Sequence, residues 1–120
     1  MSTAIAVNHL AKRYGELIAV DDLSLEVREG EIFGIIGPNG SGKTTTVECV
    51  QGLRTADEGS IQVLGLDPQR ERARLRDLVS CQLQESALPE RIRIWEALDL
   101  FAAISPRAGD WCGLLDAWGL

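Results

Sequence analysis

Hydrophobic and polar positions alternate from the start of the chain. In residues 4–10 (Ala-Ile-Ala-Val-Asn-His-Leu), Ile5 and Val7 fall on one face, which predicts a strand. Lys12-Arg13-Tyr14-Gly15 then reads as a turn. From Leu23 to Arg28 the alternation is unbroken: Leu23, Leu25 and Val27 point inward, Ser24, Glu26 and Arg28 outward. Glu29-Gly30 is a short turn, and Ile32-Phe33-Gly34-Ile35-Ile36 is apolar on both faces, as in the centre of a sheet. The pattern thus predicts a hairpin of residues 23–28 and 31–36, an antiparallel layer in front of a core sheet.

The period changes after residue 42. Lys43 to Gln51 contains no Gly or Pro and predicts a helix, with Gly52 placed to cap its C-terminus. Thr55 to Gly59 forms a turn, and Ser60 to Leu64 alternates as another strand. Asp67-Pro68 is a helix start, Asp as N-cap and Pro in the first helical position, for a helix over about 69–78. That helix carries Arg70, Arg72, Arg74 and Arg76. They read as a solvated face paired with Glu71 and Asp77 rather than as a basic patch. Leu78 to Leu83 predicts a buried strand ending at Gln84-Glu85, followed by a linker over 86–93. Ile94 to Ile104 is amphipathic, with Ile94, Ala97, Leu98 and Phe101 at i, i+3, i+4 and i+7. Ser105 to Gly109 breaks it, and Asp110 to Trp118 begins a further helix. The fold class is therefore α/β.

Composition narrows the picture. The 120 residues have room for one compact core and are 45% hydrophobic and 25% charged, ordinary for a globular domain. A net charge of −6 argues against wrapping nucleic acid, which needs a basic face to displace counterions. No apolar run approaches the roughly 18–20 residues of a membrane span, and the N-terminus lacks the basic start and apolar core of a signal peptide. A cytoplasmic chain is expected. Cys49, Cys81 and Cys112 have neither metal-ligand spacing nor a disulfide pattern and read as small buried thiols. His9, the lone histidine, has no acidic or cysteine neighbour in sequence and reads as structural.

The candidate chemistry lies between the predicted strand at 32–36 and the helix from Lys43. Gly37-Pro38-Asn39-Gly40-Ser41-Gly42-Lys43-Thr44 fits G-x-x-x-x-G-K-[ST], the phosphate-cradling P-loop. Successive backbone N–H groups and the unpaired donors of a first helical turn make an anion site. Glycine at 37, 40 and 42 would permit positive φ and close approach to phosphate. Lys43, one of only two lysines, would reach the β- and γ-phosphates, and the Thr44 hydroxyl would ligate Mg²⁺. A nucleoside triphosphate is the expected ligand.

The Asn39-Gly40-Ser41-Gly42-Lys43-Thr44-Thr45 wording, preceded by an aromatic in a turn and followed some forty residues later by a strand ending in Gln, resembles the ATP-binding subunit of ABC transporters. The resemblance runs from Ile5 to Leu120. It implies a P-loop NTPase core sheet behind the antiparallel layer over about 1–85, with the Q-loop and the start of a helical subdomain over about 86–120. It also implies ATP and Mg²⁺ as ligands. Tyr14 matches the aromatic that stacks on adenine, where a π-face attracts a flat base. Gln84 matches the glutamine that helps hold Mg²⁺ and the attacking water. Gln82 is the alternative, but Gln84 lies at the strand's C-terminal end, where ligands bind in such sheets. Lys43 and Gln84 are thus the catalytic candidates, and Thr44 and Gln84 the metal candidates.

The segment from Gln82 to Glu90, with Trp95-Glu96, looks most like drug-resistance exporters. The implied partners are a membrane permease, reached through residues 85–93, and a second ATP-binding domain packed head to tail. The implied location is the inner face of the plasma membrane. The family's Leu-Ser-Gly-Gly-Gln type signature, its Asp-Glu strand and its downstream histidine do not occur in these 120 residues. Phosphoryl transfer depends on such positioned groups. The expectation is therefore the N-terminal part of the domain, binding nucleotide with little turnover on its own. Alternatives are a nucleotide-binding fragment without catalysis, a soluble ABC-type ATPase without a permease, and a P-loop kinase or GTPase.

Overall fold

The computed structural model describes residues 2–83 and 87–120. The chain divides into two compact units, Met1–Val79 and Ser80–Leu120.

The first unit is built on a three-stranded antiparallel sheet. Strands β1 (Thr3–Tyr14), β2 (Leu17–Arg28) and β3 (Glu58–Val63) lie in the order β2-β1-β3. The first two form a hairpin, with Tyr14 opposite Leu17 across the loop Gly15-Glu16. The residues expected to turn at 12–15 thus carry the strand on to Tyr14, and the turn falls one step later. Inward positions on β2 follow the alternation: Val27 is buried, Leu23 and Leu25 partly so. His9 (φ 52°) and Asp22 (φ 51°) interrupt the ladder, and the register shifts between Val7 and Leu10. Non-glycine residues rarely adopt positive φ, so these are true bulges.

Two expected strands are absent. Residues 31–36 form no strand and join no ladder among the described residues; Ile32 is fully exposed and Ile36 98% exposed. The partner of β2 is β1 instead. Residues 78–83 likewise carry no strand, and Leu78 and Leu83 are exposed. Residues 32–36 are apolar on both faces, while 78–83 set Val79, Cys81 and Leu83 on one face and Leu78, Ser80 and Gln82 on the other. Such segments become strands only when hydrogen-bonded neighbours cover both edges, whereas β1 and β2 need one covered face and a hairpin.

Helix α1 (Lys43–Val50) packs on the sheet through Cys49 and Val50. Val7, Leu10, Val20 and Cys49 form the main buried cluster, backed by Leu23, Leu25 and Ile61. A neighbouring cluster joins Val63, Leu66 and Leu75. The C-terminus of α1 closes as expected at Gly52, φ 78°: Leu53 N–H donates to Glu48 O at 2.9 Å and Gly52 N–H to Cys49 O at 3.2 Å. These two bonds are the Schellman pair, which satisfies the helix's last carbonyls.

The helix expected over about 69–78 shortens to α2 (Arg72–Arg76). Asp67 caps the turn before it, accepting from Gln69 N–H at 2.8 Å, while Glu71 accepts from Asp67 N–H at 3.0 Å. These bonds hold residues 67–71 as a capped turn ahead of the helix. The arginines are largely engaged locally: Arg74 pairs with Glu71 at 3.2 Å, Arg70 reaches Asp67 at 4.0 Å, and Arg72 donates to the Gly52 carbonyl. The pairing is therefore with Asp67 and Glu71, without the expected Asp77.

The second unit packs α3 (Ile94–Ile104) against α4 (Trp111–Trp118). Glu96 Oε1 accepts from the Arg93 backbone N–H at 3.2 Å at the start of α3, and Asp110 caps α4 by accepting from Gly113 N–H at 3.0 Å. Leu98, Phe101, Trp111 and Leu114 line a cavity of about 340 Å³ between the helices. Among the described residues no helix is long and apolar enough to cross a membrane.

Candidate functional site: the phosphate loop and its surroundings

The loop from Gly37 to Gly42 feeds directly into α1, so its last residue is the helix N-cap. Gly40 and Gly42 take positive φ, 82° and 92°. Gly37 does not. A Cβ there would stand 2.7 Å from Ser41 Oγ, a contact that rotation of the exposed serine can relieve. At Gly42 a Cβ would collide with the Ala19 carbonyl oxygen of β2. The sheet thereby presses the helix start into place.

No side chain caps α1. Helix starts usually recruit Ser, Thr, Asp or Asn to satisfy the first N–H groups, and here glycine leaves them to an outside acceptor. Their partial positive charge favours an anion. The Lys43 ammonium folds back over the loop, donating to the Gly37 carbonyl and, at 3.3 Å, to the Pro38 carbonyl. Pro38, Asn39, Gly40 and Ser41 are exposed along the loop, as is Thr44; Thr45 is partly buried. Thr46 is a residue the sequence pattern did not single out. It is 3% exposed, and its Oγ1 donates to Gly42 O at 2.8 Å. That hydroxyl is committed to the loop's geometry, while Thr44 is exposed at the helix start.

Tyr14 stands at the end of β1, 40% exposed. Lys12 Nζ lies 5.2 Å and Arg54 Cζ 5.8 Å from its ring centre, both within cation–π range. Each cation is held by an acid: Lys12 by Asp57 at 3.6 Å, Arg54 by Glu48 at 2.8 Å. Glu48 belongs to α1, one and a half turns beyond Lys43. Hydrogen bonding from the Arg13 backbone N–H, at 2.6 Å, is the main cause holding the Asp57 carboxyl below its ordinary value. The Glu48 bond does most to raise the already high value of Arg54. Arg54 is forty residues from Tyr14, and no local pattern marks the pair.

Gln84 lies outside the described residues, so the structure says nothing of its place. Two other expectations change. Cys49 is fully buried, and burial chiefly pushes its thiol up, but Cys81 and Cys112 are exposed. His9 does have an acidic neighbour, supplied across the hairpin: its Nδ1 lies 2.6 Å from Asp22 Oδ1, at an exposed site.

Residues 20–118 match the model of the ABC transporter family. The chain belongs to that family. Among relatives of this ABC chain, the daunorubicin resistance ATP-binding protein DrrA3 of Streptomyces coeruleorubidus is 40% identical over 102 residues, 85% of this chain and 32% of that protein. The sulfate/thiosulfate import ATP-binding protein CysA of Ralstonia nicotianae is 37% identical over 105 residues, 88% of this chain and 28% of that protein. The ABC chain thus spans about a third or less of the curated relatives it matches. Among solved structures, the ATP-binding subunit of an ABC transporter superposes with a TM-score of 0.74 at 28% identity, covering 84% of this chain and 42% of that one. An ATP-binding cassette in its ADP conformation gives a TM-score of 0.58 at 36% identity over 62% of this chain and 30% of that one. The mixed α/β class is that of these cassettes.

Proposed function

We propose that this chain supplies the phosphate-gripping part of an ABC transporter ATP-binding subunit, which binds Mg·ATP and couples its hydrolysis to export through a membrane permease. The observation that carries the reading is the uncapped N-terminus of α1, joined to a glycine loop under a lysine ammonium. The residues fit a triphosphate. Free first-turn N–H groups ask for an anion, and Lys43 gains by exchanging neutral carbonyl acceptors for phosphate oxygens, since ion–ion attraction is then added to bonds whose donor is already charged. Gly37, Pro38, Asn39, Gly40, Ser41 and Gly42 would wrap the phosphates, with Thr44 and Thr45 at the helix start. Thr44 would hold Mg²⁺, which when bound neutralises charge developing on the phosphates. Tyr14 would stack on the base. Gln84 would complete the metal and water contacts, and a second ATP-binding domain would close over the nucleotide.

Titration calorimetry with Mg·ATP tests the grip: binding is expected, and Lys43→Ala should weaken it on the order of 100-fold, the worth of one to two charge-assisted bonds. Wild-type binding that ignores Lys43→Ala would overturn the reading. Phosphate release, abolished by the same substitution, tests turnover. Outward transport rests on the drug-resistance relatives and on the wording of residues 82–90; the sulfate-import relatives support inward transport instead. Inside-out vesicles carrying the subunit with its permease should take up daunorubicin on adding ATP. ATP-driven sulfate uptake by right-side-out vesicles would reverse the direction.

A further inference from the structure

Tyr14 is held by more than its own strand. The Arg54 guanidinium reaches the ring from beyond the C-terminus of α1, and its Nε bonds Glu48 Oε2 on that helix at 2.8 Å. One residue therefore touches both the aromatic at the end of β1 and the helix whose first turn forms the phosphate loop. We propose that Arg54 is a positioning residue for nucleotide binding: clamped by Glu48, it fixes the Tyr14 ring relative to α1, so that base and triphosphate meet a preset spacing. This deepens the ATP-binding reading above and rests on it.

The physical reasoning starts from exposure. A tyrosine 40% open to solvent at a strand end keeps rotamer freedom that stacking would remove. Immobilising one such side chain on binding has a cost that prior ordering avoids, and two features order this ring. A cation over a π-face is attracted by the ring quadrupole, and the Arg54–Glu48 bond restrains the cation itself. Lys12, 16% exposed at its side chain and restrained by Asp57, braces the same ring from β1. Among the described residues, the cation that ties it to the phosphate-binding helix is Arg54. Its removal should therefore weaken ligands that carry a base and spare those that do not.

The test compares Mg·ATP with Mg·tripolyphosphate on the full chain by calorimetry. Arg54→Ala should weaken ATP about three- to tenfold, the span of one ordered side chain, and leave tripolyphosphate unchanged. Arg54→Lys, which keeps a cation over the ring, should recover most of the loss, and Glu48→Gln should show part of it. In a Tyr14→Ala background Arg54→Ala should have no further effect. Equal loss for both ligands, or the same loss without Tyr14, would overturn the proposal by making Arg54 a general support of the fold. If Tyr14→Ala weakens ATP while Arg54→Ala does not, the clamp alone falls. If Tyr14→Ala leaves ATP affinity unchanged, the stacking role falls and the clamp with it.

Discussion

Gly42→Ala probes how the sheet sets the phosphate loop. Two costs add at this position. An L-residue held at φ 92° loses roughly 1–2 kcal/mol of backbone energy. The new methyl also meets the Ala19 carbonyl oxygen and stands 3.3 Å from Val20 Cγ2, an overpacking cost of about 1–3 kcal/mol. The sum is about 2–5 kcal/mol, a large share of the 5–15 kcal/mol that holds a typical domain together. Gly40→Ala is the control. Its φ of 82° carries the same backbone cost, but nothing lies within 4 Å of the added Cβ. Urea unfolding followed by far-ultraviolet circular dichroism should place Gly42→Ala below Gly40→Ala by the packing share alone, about 1–3 kcal/mol. Two variants within about 0.5 kcal/mol of each other would refute the claim that β2 pins the helix start.

Further outcomes follow from single groups. Asp57 has a lowered folded value, so it adds stability above its ordinary value near 3.8 and loses that contribution as pH falls through the depressed one. Acid unfolding of Asp57→Asn should accordingly be shallower than wild type below pH about 4, and parallel curves would contradict the Arg13 hydrogen bond as its cause. At pH about 8, iodoacetamide should label Cys81 and Cys112 at least about tenfold faster than Cys49, whose thiol is buried and raised; uniform labelling by mass spectrometry would deny that core. Gly52→Ala should destabilise by about 1–3 kcal/mol, because φ is 78° and a Cβ would stand 2.6 Å from the Pro68 carbonyl. A neutral result in thermal unfolding would remove the Schellman closure from the account.

The features legible in the chain are those decided by near neighbours. Helix α3 follows from apolar residues at i, i+3, i+4 and i+7, and a further helix is expected from Asp110 to Trp118, where α4 stands. Gly52 and the Gly37–Thr44 wording report backbone needs at single positions. Each depends on interactions within one or two helical turns, so spacing alone reveals it. The tertiary structure decided the rest. Alternation showed that residues 23–28 form a strand but not that their partner is β1, because pairing is chosen among distant segments and by the bulges at His9 and Asp22. Residues 32–36 and 78–83 show the same limit from the other side: an apolar or alternating run marks a possible strand, and only neighbouring strands turn it into one. The ring of Tyr14, the Arg54 guanidinium and Glu48 meet across a gap of forty residues through the packing of α1 on the sheet. What local order wrote was the phosphate cradle; what long-range packing added was the side chains that surround the aromatic beside it.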